Sequence, residues 1–128
     1  MDVIELLPRL HLPRFPVGQA YLWRDGDDRG ELTLIDAGPA GSGAPIAEAV
    51  TALGRDPRDV RRVVLTHFHE DHAGGVGECA AFGGAEVLVD RLDAPVVRGE
   101  THTNVACFGH ADPVTRGAAG ALRAMAYA

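Results

Sequence analysis

Three of the six histidines in this 128-residue sequence fall within six consecutive positions, in the stretch Thr66-His67-Phe68-His69-Glu70-Asp71-His72-Ala73-Gly74-Gly75. The resulting H-x-H-x-D-H spacing offers four metal-ligand candidates: His67, His69, Asp71 and His72. At this histidine and aspartate content the pattern arises by chance at a given position about 9 times in a million, or roughly once in a thousand such chains. In extended backbone, alternate side chains project to one side, so His67 and His69 can approach a single ion from one face. Where the chain then curls into a helix, Asp71 and His72 turn elsewhere and offer a carboxylate and another ring to a second ion or to a water. Nitrogen and oxygen ligands with no thiolate among them suit one or two zinc ions first, with iron or manganese as alternatives. Bound zinc lowers the pKa of its water towards ~7, which would make hydroxide the nucleophile without an ordinary general base. The alternative is a histidine-rich polar loop that hydrogen-bonds without metal.

Such a loop needs a strand that ends at the histidines, and Val63-Val64-Leu65 supplies an apolar run typical of a strand buried on both faces. Upstream, Val3 to Leu7 and Arg9 to Leu12 read as short strands around Pro8, followed by a stronger one from Val17 to Arg24 containing Tyr21 and Trp23. Asp25-Gly26-Asp27-Asp28 is a turn, and the alternating Glu31 to Asp36 segment makes the second arm of a hairpin. Ile46, Ala49, Val50 and Leu53 fall at helical spacing, with Pro45 suited to the first turn and Gly54 to the end. Beyond the histidines, a short helix from Ala73 to Phe82 and a buried strand from Ala85 to Val89 complete a β-α-β unit with parallel pairing. Asn104 to Phe108 reads as one more strand, and Thr115 as the cap of a last helix with Ala118, Leu122 and Met125 on its inner face. The expectation is an α/β (α+β) layering of sheet and helices in one domain over residues 1–128.

Composition narrows the chemistry further. The net charge of −6 gives no basic footprint for phosphate backbones, so nucleic acid is not an expected partner. All twelve basic residues are arginine. That excludes a Schiff-base lysine and a phosphate-loop lysine. The only serine, Ser42 in Gly41-Ser42-Gly43, lacks the frame of a nucleophile elbow. Cys79 and Cys107 stand alone in small or apolar surroundings and read as buried free thiols, and His11 reads as structural. No apolar run approaches the ~18 residues of a membrane helix. Asp2 and Glu5 spoil a basic leader, so the expected location is cytoplasmic, without a membrane partner.

Thr66 to Gly75 resembles the signature loop of the metallo-β-lactamase superfamily, which includes glyoxalase II, lactonases, ribonucleases and flavodiiron proteins. Leu34-Ile35-Asp36-Ala37-Gly38 resembles the family's first motif. The resemblance implies that Asp36 holds the metal loop from behind the ligands. Phe108-Gly109-His110-Ala111-Asp112-Pro113 resembles the late motif and implies His110 as a ligand of a second metal. The implied activity is a zinc-dependent hydrolase in which hydroxide attacks the ester, thioester, lactone or amide carbonyl of a small-molecule substrate. Asp71 would be the catalytic residue that orients the water. The implied fold is a four-layer αββα sandwich.

Two features depart from the family. Only 37 residues separate His72 from His110, and they contain neither a Gly-His-Thr-x-Gly loop nor the Gly-Asp whose carboxylate bridges two metals. The passage from Val96-Val97-Arg98-Gly99-Glu100 into Thr101-His102-Thr103-Asn104 reads like a junction. His102 reads as a surface residue or as a replacement third ligand. An incomplete sandwich follows, about one sheet with flanking helices, whose uncovered face a homodimer would cover. A competing reading is a shortened member that binds metal or a partner without catalysis. An iron member that uses oxygen shares the loop, but no residue here distinguishes it.

Overall fold

The computed structural model describes residues 1–100 with the exception of Asp28. Strand Asn104 to Phe108, the helix after Thr115, Cys107, His102 and His110 lie outside the described residues. Strands β1 (Val3–Leu7), β2 (Leu10–Pro13), β3 (Tyr21–Arg24), β4 (Leu32–Ile35), β5 (Val60–Val64) and β6 (Glu86–Leu88) form a six-stranded sheet in chain order. The first four pair antiparallel, whereas β4 with β5 and β5 with β6 are parallel. Connection length explains the change. Short turns suffice for antiparallel neighbours, while helix α1 (Gly43–Ala52) and then α2 (Glu70–Ala73) and α3 (Val76–Ala80) supply the longer crossovers that parallel pairs need.

Register decides which side chains meet. Leu22, Leu34, Val63 and Val87 are consecutive partners across β3, β4, β5 and β6, and all are buried. Against this row pack Ile46, Ala49 and Val50 of α1 with Val76, Cys79 and Ala80 of α3. Each fully buried aliphatic side chain of this kind contributes ~1.5–3 kcal/mol. Gly54, at φ 75, adopts the left-handed conformation just beyond α1, as its position in the sequence predicts. Cys79 is a buried free thiol, and burial pushes its pKa well above the ordinary range.

On the opposite face, Tyr21, Ile35 and Val64 form a second row that is only half-buried among the described residues. The expectation that β5 is buried on both faces therefore fails at Val64 among the described residues, because the described helices cover the other side of the sheet. Trp23 Nε1 donates to Asp25 Oδ1 at 2.9 Å, and Arg62 pairs with Asp25 at 3.2 Å and Glu31 at 3.1 Å on this second face.

Several boundaries move for identifiable reasons. The strand expected from Val17 begins at Tyr21, because Gly18 at φ 85 turns the chain before it can extend. The strand expected from Arg9 begins at Leu10, one residue further from Pro8. The single helix expected over Ala73 to Phe82 is divided into α2 and α3 at Gly74-Gly75. Val96 and Val97, read as part of a junction, belong to helix α4 (Ala94–Val97) and are buried. Among the described residues no helix is long and apolar enough to cross a membrane.

Candidate metal centre

Parallel strands place their carboxyl ends side by side, and in open α/β sheets the ligand crevice lies beyond those ends. Here the ladder continues one residue past β4, where Asp36 N donates to Val64 O at 2.8 Å, and past β5, where Leu65 N donates to Leu88 O at 2.8 Å. Asp36 and Thr66 thereby become neighbours although 30 residues separate them. Asp36 is buried and adopts φ 57, a left-handed conformation that a short polar side chain tolerates. This backbone turn directs its carboxylate at the metal-loop candidate. Oδ1 accepts from Thr66 N at 2.7 Å, while Oδ2 receives Thr66 Oγ1 at 2.7 Å and His72 Nδ1 at 2.9 Å.

The four clustered ligand candidates converge. His69 remains extended (φ −56, ψ 141) and its carbonyl accepts from His72 N at 3.0 Å and Ala73 N at 2.8 Å, which starts α2. This is the strand-to-helix bend the spacing calls for. Ring centroids of His67 lie 4.7 Å from His69 and 4.3 Å from His72. One donor atom from each of His67, His69 and Asp71 lies within 4.8 Å of the others, and the same holds for Asp36, His67 and His72. His72 Nε2 stands 3.5 Å from Asp71 Oδ2.

The two groupings differ chemically. Both oxygens of Asp36 are occupied by hydrogen-bond donors, so that carboxylate positions the loop and leaves ligation to its neighbours. His67, His69 and Asp71 form a partly buried nitrogen and oxygen set. Donors on a tetrahedral zinc shell with bonds of ~2.1 Å stand ~3.4 Å apart, so rotamer-scale adjustment closes this set around an ion. The residues present fit zinc. Burial, followed by repulsion from His72, lowers the His67 pKa below the usual imidazole value against an opposing pull from Asp36. A lowered value keeps the ring in the neutral form that a metal requires.

Three contacts that hold the centre escape sequence reasoning. Gly18 lies against the loop so closely that a Cβ there would meet Asp71 O at 2.0 Å. Gly74 and Gly75 lie against the 37–40 segment, where added carbons would meet Ala40 N at 2.3 Å and Ala37 O at 2.4 Å. Glu78 of α3 accepts from Gly41 N at 2.8 Å and Gly43 N at 3.2 Å, fixing the start of α1. The glycine pair is visible in the sequence as part of the signature loop, but its packing partner is not. Thr66 is likewise visible, whereas the use of its hydroxyl depends on Asp36 arriving from another strand. His11, read as structural, sits away from this centre on β2, 3.8 Å from Glu5.

Comparison with known proteins matches this architecture. The chain is 34% identical over 104 residues to a hydroxyacylglutathione hydrolase of Erwinia tasmaniensis, covering 70% of this chain and 39% of that protein. Its backbone superposes on the metallo-beta-lactamase SMB-1 bound to 2-mercaptoethanesulfonate with a TM-score of 0.76 at 21% identity, over 98% of this chain and 47% of that one. A Cronobacter sakazakii metallo-beta-lactamase with a HARLDQ motif gives a TM-score of 0.73 at 23% identity, over 86% and 43% of the two chains. The chain thus spans less than half the length of each of these relatives. The sequence profile of the metallo-beta-lactamase superfamily matches residues 14–116, most of the sequence, and with the fold and the histidine loop in agreement the chain belongs to that superfamily.

Proposed function

We propose that this chain is a zinc-dependent hydrolase acting on a small ester or thioester. The convergence of His67, His69 and Asp71 within 4.8 Å carries the reading. The likeness to hydroxyacylglutathione hydrolases favours a thioester. His67 and His69 would hold one ion, and Asp71, which lies within reach of both, would complete that set or turn with His72 to a second ion, joined by His110 as the family resemblance implies. Bound zinc would supply an acidified water and a Lewis acid for the carbonyl oxygen. The protein's own contribution is positional. Asp36 holds Thr66 and His72, Gly18 backs the Asp71 carbonyl, and the Asp71 carboxylate would orient the attacking water.

A second reading is a metal-binding module without turnover, which the His67, His69 and Asp71 set supports equally. Elemental analysis of the purified chain, paired with assay of a thioester and lactone panel before and after His67→Ala, separates the two. The hydrolase reading expects stoichiometric zinc and turnover that both fall in the variant. Zinc without turnover would select the module, and turnover indifferent to His67→Ala would refute the mechanism.

A further inference from the structure

A neutral imidazole binds a metal through the one ring nitrogen that carries no proton. A loop that presents several rings to an ion therefore needs a device that sets each proton in advance. Thr66 Oγ1 lies between Asp36 Oδ2 at 2.7 Å and His67 Nδ1 at 2.8 Å. A carboxylate accepts and does not donate, so the single hydroxyl proton of Thr66 goes to Asp36. The hydroxyl oxygen can then only accept from His67, which places the ring proton on Nδ1 and the lone pair on Nε2. The same carboxylate oxygen faces His72 Nδ1 at 2.9 Å and imposes the same tautomer directly.

We infer that Thr66 is a positioning residue that relays the polarity of Asp36 to His67, so that one buried carboxylate fixes both His67 and His72 with Nε2 open to an ion. The inference rests on the metal reading only for its purpose, since the hydrogen-bond chain exists without an ion. His69 has no such connection to Asp36 in the network described. Orientation of a ligand ring by the partner of its other nitrogen changes metal affinity about 10- to 100-fold.

The experiment is a two-bond 1H–15N correlation on the metal-free, 15N-histidine-labelled chain, which distinguishes protonated Nδ1 from protonated Nε2 at each ring. The wild type is expected to show His67 and His72 both protonated at Nδ1. Thr66→Val keeps the shape and deletes the hydroxyl, so His67 should lose that pattern while His72 keeps it, and zinc affinity by calorimetry should fall roughly 10-fold or more. Thr66→Ser should restore both readouts. A His67 protonated at Nε2 in the wild type would overturn the relay without any variant being needed. So would a Thr66→Val chain whose His67 pattern is unchanged. The wild-type pattern without measurable zinc binding would support the relay and sink the metal reading, so the two fail separately.

Discussion

Replacing Gly18 by alanine tests whether the loop ahead of β3 sets the position of Asp71. At φ 85 the residue occupies left-handed space, where an L side chain costs ~1–2 kcal/mol. The added methyl would also stand 2.0 Å from Asp71 O and 3.2 Å from Asp71 Cβ. A carbon and a carbonyl oxygen settle at ~3.3 Å, so one of the two segments must retreat by more than ~1 Å. Overpacking of this sort adds ~1–3 kcal/mol, for a combined destabilisation of ~2–5 kcal/mol. Gly26 provides a matched control, because it too is left-handed, at φ 63, yet an added carbon there meets nothing within 4 Å. Gly26→Ala should cost only the conformational part and leave zinc binding intact. Urea unfolding of the metal-free chain measures the first effect, and calorimetric zinc titration, expected to weaken about 10- to 100-fold in Gly18→Ala alone, measures the second. If the two variants behave alike in both assays, Gly18 does not hold Asp71 and the packing argument is wrong.

Two further outcomes follow from particular contacts. Glu78→Ala leaves Gly41 N and Gly43 N without their carboxylate at the start of α1, and urea unfolding should register a loss of ~1–3 kcal/mol; a change below ~0.5 kcal/mol would contradict the capping role. Asp56 is held down to about 2 from an ordinary 3.8, chiefly by the Arg58 side chain and then by its backbone N–H. Its folded value lies below its unfolded one, so its contribution is fully present above pH 3.8 and disappears as pH falls through about 2. A carboxyl 13C titration should place the midpoint there, and Arg58→Ala should raise it towards 3.8.

The clustered ligand candidates were legible in the sequence because their geometry is local. An extended segment followed by a helical turn fixes the relative directions of His67, His69, Asp71 and His72, whatever the rest of the chain does. The apolar spacing of Ile46, Ala49 and Val50 was legible for the same reason, since a helix of that length buries the face its own period defines. What stayed hidden depends on segments distant in sequence. Gly18 reads as an ordinary strand residue until Asp71 is known to lie against it. Val64 reads as fully buried until the described helices are seen to lie on the other side of the sheet. Thr66 reads as the residue before a histidine until Asp36 crosses to it from β4.

The left-handed turn at Asp36 also limits what chemistry can occupy that place. Glycine would adopt the backbone angle and bring no side-chain oxygen, and asparagine would bring one acceptor and, in place of Oδ2, an amide that donates to Thr66 and His72 and so reverses their proton positions. Glutamate would carry the charge on a stem one carbon too long for a carboxylate already 2.7 Å from both Thr66 groups. Backbone conformation, reach and proton demand thus intersect on a single amino acid, and the genetic code offers this corner of the fold no neutral neighbour to drift into.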